Sequence, residues 1–323
     1  MIRAAILIGL IAAATPAAAR DPIFGLPIDC TLGESCYIQN YVDADAGPGH
    51  ADFTCGSLTY DGHKGTDFAL LSLAALTKGV NVLATSPGRV TALRDGEPDI
   101  AHQETSGQDY GGRDCGNGLI LDHGGGWITQ YCHLKNGSIN VAKGQRVAMG
   151  AVLGQVGLSG RTEYPNLHIS IRYNDEIIDP FNRDGITTCA DQNDDQLWRD
   201  PIPYRAGGLL AAGFSPEMPT FRRITDGQAS QATLPKNAAA LILWGYAFGG
   251  QAGDEIKFTI IGAEGIFRTS TQTLDKNLAL FFRASGRKLT TANTRPGQYV
   301  GTVTLIRDGK IIDVRAAKTT LLE

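Results

Sequence analysis

Four residues in this sequence stand in settings that suit metal-assisted hydrolysis. His63 and Asp67 sit in the run HKGTD, where Gly65 lets the backbone bend tightly between them. His133 closes the run Tyr131-Cys132-His133, and His168 lies in YPNLHISIR. In that last run Leu167, Ile169 and Ile171 alternate as one buried face of a strand, which turns His168 to the other face together with Asn166. Imidazoles with one carboxylate suit borderline-soft zinc, whose catalytic sites take three protein ligands and leave a position for water, acidified to a pKa of about 7. Taken singly, each histidine is weak evidence, since a lone imidazole in a β domain is more often a satisfied structural residue.

The elements that must hold these residues read as strands and turns. Glycine is abundant (40 of 323 residues), only 19% of the residues are charged, and long helical periodicities are scarce. The Leu- and Ala-rich run from Ala69 to Leu76 is the one stretch predicted as a short helix. Gly79–Ala84 and Gly88–Leu93 read as a hairpin turned by Ser86-Pro87-Gly88, and Gly118–His123 and Trp127–Leu134 as a second across Gly124-Gly125-Gly126. The polar stretch Asp95–Arg113 reads as a long surface loop that borders the cleft. Residues 201–219 hold four prolines and three glycines, a composition that suits an extended connector and places the domain boundary there. Beyond it, five short strand candidates follow, the last two joined by Arg307-Asp308-Gly309-Lys310, a strong hairpin signal. About 100 residues of this kind suggest a small immunoglobulin-like β-sandwich.

The chain opens with Arg3, an apolar run from Ala4 to Ala14 and Ala17-Ala18-Ala19, the layout of a secretory signal peptide over 1–19. The apolar run is too short to span a bilayer comfortably, and no second long apolar segment follows, so no membrane span is expected after cleavage. Six cysteines, an even number in an exported chain, are expected to form disulfides, with Cys30–Cys36 the first pair to expect. No C-x-x-C spacing supports a cysteine-ligated metal. A net charge of −4 gives no reason to expect nucleic acid. His50 and His102 fall in polar loops and His123 in LDHG, all three read as structural, while Trp127 and Tyr131 suit either core packing or a groove wall.

In order and context the motifs become specific. His63-Lys64-Gly65-Thr66-Asp67, Tyr131-Cys132-His133-Leu134, the Val- and Gly-rich run from Val141 to Gly160, and Pro165-Asn166-Leu167-His168 together resemble the lysostaphin-like zinc peptidases, family M23 or LytM domain. The resemblance covers roughly Tyr60 to Arg172. It implies an antiparallel β peptidase domain, placed over 20–200 with its Cys-rich lead-in; with the connector and the sandwich read above over 220–323, the whole chain is expected to be all-β. It implies one zinc per chain on His63, Asp67 and His168, with His133 as the non-ligand acid-base histidine. It also implies peptidoglycan as substrate and a periplasmic or secreted bacterial protein. Exported β-sandwiches further suggest that the C-terminal unit positions the catalytic domain or binds a protein partner.

One position departs from the family pattern. Where the closing H-x-H has its first histidine, this chain has Asn166. An amide is able to donate to a developing oxyanion but not to accept and return a proton near neutral pH. Losing an acid-base partner typically costs ~100- to 10,000-fold in rate. The expected function is therefore a zinc endopeptidase of the cell wall working through His133, and its alternative a zinc-holding, catalytically impaired domain that binds peptidoglycan or regulates another hydrolase.

Overall fold

The computed structural model describes residues 22–102, 109–185, 195–290 and 293–323. The signal-peptide reading of 1–19 and Cys189 lie outside the described residues. Among the described residues the architecture is almost entirely β, and its sheets are antiparallel but for one parallel strand pair, as expected.

The first domain is built on a sheet with strand order β1-β2-β9-β6-β5-β4-β7. Its members are β1 (Cys36–Asn40), β2 (Thr66–Leu70), β4 (Gly88–Arg94), β5 (Asn117–Gly124), β6 (Trp127–Leu134), β7 (Arg146–Val147) and β9 (Asn166–Tyr173). A further strand, β10 (Glu176–Ile178), hairpins onto β9. One face of the sheet carries Phe68, Leu119, Leu121, Tyr131, Leu167, Ile169 and Ile171, all 2% exposed or less, so the alternation read in β9 is the alternation of a true core face. Trp127 and Tyr131 belong to this core.

Two local expectations are corrected. The segment around Val82 does not hairpin onto β4. Instead β3 (Asn81–Leu83) pairs with β8 (Val152–Gln155) in a separate two-stranded sheet. The connecting segment is drawn inward, because the backbone N–H of Thr85 donates to the Tyr131 hydroxyl at 2.9 Å and the Thr85 Oγ1 meets it at the same distance. The short helix begins later than predicted, as α1 (Leu73–Lys78). Ala69 and Leu70, fully buried, stay in β2, and Ser72 starts the helix by accepting from the Ala75 N–H. The hairpin of β5 and β6 forms as predicted, with Gly124, Gly125 and Gly126 all at φ between 61° and 88°, a left-handed region that L side chains rarely adopt.

The C-terminal domain is a sandwich of a three-stranded sheet and a five-stranded sheet. The first holds β11 (Gly208–Ser215), β13 (Ala240–Gly250) and β16 (Leu278–Lys288), in that order. The second runs β12 (Thr233–Leu234), β18 (Lys310–Leu321), β17 (Gly297–Arg307), β14 (Glu255–Gly262), β15 (Gly265–Thr273). β17 and β18 hairpin through Asp308 and Gly309, both at positive φ, as the Asp-Gly signal requires. Residues 208–215, read as connector, are thus a strand of this domain; the glycines of 207–213 serve a buried ladder instead of an extended link.

The three-stranded sheet is covered on both faces. Along β13, Leu241, Leu243 and Ala247 join the interior of the sandwich, whereas Trp244, Tyr246 and Phe248 join the core of the first domain. Burial of a phenylalanine such as Phe248 contributes roughly 1.5–3 kcal/mol by leaving water. The two domains therefore share a continuous apolar layer, and the end of β13 is carried to the edge of the first domain's cleft.

Candidate active site

His63, Asp67 and His168 come together at the junction of β2 and β9. Asp67 and His168 are cross-strand partners in the ladder, and His63 lies in the turn four residues before Asp67. His63 Nε2 is 3.2 Å from Asp67 Oδ2 and 3.2 Å from His168 Nδ1, and His168 Nδ1 is 2.8 Å from Asp67 Oδ1. Gly65 serves this closeness by its lack of a side chain: a Cβ there would sit 2.5 Å from the Ile169 carbonyl and 2.7 Å from the His168 ring. Its backbone is not in the left-handed region, so close approach, not a tight bend, is what requires glycine.

The remaining ring nitrogens are fixed from behind. His63 Nδ1–H donates to the Tyr41 carbonyl at 2.6 Å. The Ser170 hydroxyl donates to the Lys64 carbonyl at 2.6 Å, which leaves its oxygen to accept from His168 Nε2–H at 3.1 Å. Both tautomers then aim lone pairs, from His63 Nε2 and His168 Nδ1, at the Asp67 carboxylate. Three acceptors converge, and a cation satisfies all three. Two imidazoles and a carboxylate form a donor set that fits zinc. Asn40 Nδ2 donates to Asp67 Oδ2 at 3.1 Å and orients the carboxylate. Burial disfavours charge on Asp67, but His63 and His168 hold its carboxyl well below the usual range. Burial likewise opposes charge on His63, yet the Asp67 carboxylate raises its pKa.

His133 faces the same cleft, its ring 6.0 Å from that of His168. The ladder of β5 and β6 slips between Asn117 and Leu119, so Cys132 and His133 both oppose Gly118 in a bulge, with His133 at φ 62°. The Cys115–Cys132 disulfide and the His133 N–H to Cys115 carbonyl bond, 2.9 Å, brace this bulge. His133 Nδ1–H donates to the Ser159 carbonyl at 2.8 Å, which leaves Nε2 as an acceptor. Burial, then the charge of nearby His168, lowers its pKa to about 4, so the ring is neutral at pH 7 and competent as a base.

Asn166 lies on the cleft side of β9, two residues before His168, and is buried. Its Nδ2 donates to Thr162 Oγ1 at 2.8 Å and to the Tyr164 carbonyl at 2.9 Å. Thr162 Oγ1 gives its own proton to that same carbonyl at 2.9 Å, so both partners of Nδ2 are acceptors and the amide orientation is determined. Oδ1 is buried without a partner. In this arrangement the amide N–H groups are engaged within the chain and Oδ1 is enclosed.

Among the other histidines, His123 is structural as read, bridging the Pro87 carbonyl and Thr129 Oγ1, each at 2.8 Å. His50 and His102, read as structural loop residues, line the cleft. Cys30–Cys36 forms as expected. Sequence reasoning missed the supports. Ser170 follows His168 by two and shares its face, so the strand period contained that signal; Asn40, Tyr41 and Ser159 come from distant segments with no local mark.

Residues 61–180 match Peptidase family M23. Over 108 residues the chain is 32% identical to the cell division protein DipM of Caulobacter vibrioides, covering 33% of this chain and 16% of that protein. Over 109 residues it is 31% identical to the peptidoglycan DD-endopeptidase ShyA of Vibrio cholerae, covering 34% of this chain and 20% of that protein. The chain thus spans a fifth or less of either relative's length. Among solved structures, a zinc containing peptidase from Vibrio cholerae is similar over 49% of this chain and 39% of that one, at 24% identity and a TM-score of 0.33. The catalytic domain of lysostaphin from Staphylococcus simulans is similar over 44% of this chain and 85% of that one, at 22% identity and a TM-score of 0.28. Together with the ordered motifs, the match over residues 61–180 makes this part of the chain a peptidase family M23 domain.

Proposed function

We propose that the protein is a zinc-dependent endopeptidase acting on the peptides of bacterial peptidoglycan, outside the cytoplasm. The observation that carries this reading is the convergence of three acceptors, from His63, Asp67 and His168, beside a neutral His133 in one cleft. Zinc in such a site supplies Lewis acidity to a carbonyl and acidifies water. His63 and His168 would hold it through Nε2 and Nδ1, with Asp67 as the third ligand. His133 takes a proton at Nε2 while Ser159 holds its Nδ1–H. Asn166, with Nδ2 engaged by Thr162 and Tyr164 and Oδ1 enclosed, does not shuttle protons. The name of ShyA supports peptidoglycan as the substrate, and the disulfides suit an oxidising compartment, periplasmic or extracellular. Among the described residues no helix is long and apolar enough to cross a membrane.

Asn166 favours a second reading, a domain that holds zinc and binds or regulates without cutting. The test is a zinc assay with digestion of purified peptidoglycan. About one zinc per chain with release of peptide fragments, and loss of the metal in His168→Ala, is the expected result. Bound zinc with no cleavage, and cleavage gained in Asn166→His, would overturn the endopeptidase in favour of the second reading.

A further inference from the structure

The cleft that holds His133 and His168 has a volume of about 1150 Å³, and its opposite side is not made by the first domain. There it is lined by Phe248, Gly249 and Gly250 at the end of β13, by Leu278, Ala279 and Leu280 at the start of β16, and by Asn277 just before that strand. These two stretches are one piece of sheet, since Leu278 pairs with Gly250 and Leu280 with Phe248. We propose that this edge of the C-terminal domain is the second wall of the substrate groove, and that it selects extended peptides with small, uncharged side chains. The inference rests on the peptidase reading above and deepens it.

The wall is held in place from both sides. The Phe248 ring packs on Tyr37 of β1 at 4.7 Å between centroids, and β1 is the strand that pairs with β2, which bears Asp67. The Gly249 carbonyl accepts from Arg307 Nη2 at 2.7 Å, and Arg307 is itself fixed to Asp254. The wall therefore needs no ordering when a substrate arrives, and ordering is a main cost of binding.

Its chemistry is one-sided. The ionisable residues of the cleft, among them Asp61, Asp114, Arg161, Glu163 and Arg172, come from the first domain; the seven residues of the wall carry none, and Asn277, its one polar side chain, already accepts from the Ala252 N–H through Oδ1 at 2.9 Å. A charged substrate side chain turned to the wall would lose water and meet no opposite charge, whereas a methyl group or a peptide backbone would be accepted. β16 is also the edge strand of its sheet, with no strand paired on its outer side among the described residues. An exposed strand edge offers main-chain hydrogen bonds to an extended peptide without regard to its side chains.

The test uses the full zinc-loaded chain with His133→Ala, so that binding is read before the slowed turnover, and a labelled peptide released from peptidoglycan. Ala279 is exposed, and Ala279→Arg should weaken binding by about tenfold or more while zinc content stays unchanged. Ala279→Ser, and Ile266→Arg on the far strand β15, should bind like the parent; Ala279→Gln should show a smaller loss and keeps the test open if arginine disturbs the strand. Equal binding by the parent and both bulky variants overturns the wall alone. A zinc-loaded parent that binds no such peptide overturns the peptidase reading and the wall with it.

Discussion

Ser170 Oγ stands 3.1 Å from His168 Nε2 and gives its own proton to the Lys64 carbonyl, so it can only accept from the imidazole. The ring is thereby locked with Nδ1 turned to Asp67. Ser170→Ala should free the ring and weaken zinc affinity roughly 10- to 100-fold, as removal of such supports does elsewhere. A chelator competition titration reads this directly, and unchanged affinity would show that the hydroxyl does not orient the ligand.

His133→Ala should leave zinc bound and lower peptide hydrolysis by ~100- to 10,000-fold, the usual contribution of a positioned base. With the pKa of this imidazole lowered to about 4, the wild-type rate measured at saturating zinc should not fall through the ordinary imidazole range near 6.5. The acid limb should lie near pH 4 to 5. A limb at pH 6 to 7 would assign the titrating base to another group.

Asp179 gives a stability prediction. Its Oδ1 accepts from the Phe181 N–H at 2.9 Å, but its Oδ2 is buried with no partner, and burial raises its pKa to about 7. A carboxyl raised on folding is harmless below its unfolded value near 4, and it costs stability progressively as pH rises to about 7. Asp179→Asn should be neutral at pH 4, stabilise by on the order of 1–3 kcal/mol at pH 8, and flatten the slope between. Denaturant titrations at both pH values check the sign.

Arg307 and Asp254 form a two-pronged ion pair, Nε to Oδ1 at 2.8 Å and Nη2 to Oδ2 at 2.7 Å, with side chains only 12% and 1% exposed. Arg307 also reaches the Ala206 carbonyl at 3.1 Å, at the entry to the second domain. Arg307→Ala leaves a buried carboxylate unpaired and should cost about 3–5 kcal/mol. Calorimetry should show the loss, and Asp254→Asn on top of it should recover part of it.

The chemistry was legible in the sequence because its residues sit in short runs whose order is itself the signal. HKGTD, YCHL and PNLH each carry a proposed ligand or base with its immediate neighbours. The strand of His168 was legible too, since Leu167, Ile169 and Ile171 alternate. What was not legible depends on pairing between distant segments. Val82 looked like one arm of a hairpin, and only its partner Gly154 in β8 shows otherwise. The stretch 208–215 looked like a connector because glycine and proline dominate its surroundings, although the buried ladder with β13 overrides that composition. The orientation of Asn166 depends on where Thr162 sends its proton, which no spacing reveals.

The layer formed by β11, β13 and β16 has a consequence for how this chain could have arisen and how it can be altered. Trp244, Tyr246 and Phe248 are interior to the first domain while belonging to the second. The C-terminal domain is therefore not a cassette to be exchanged for another unit. A recombination that swapped it would strip apolar cover from Tyr37 and its neighbours and remove one side of the cleft in the same event, so the two halves are bound to change together.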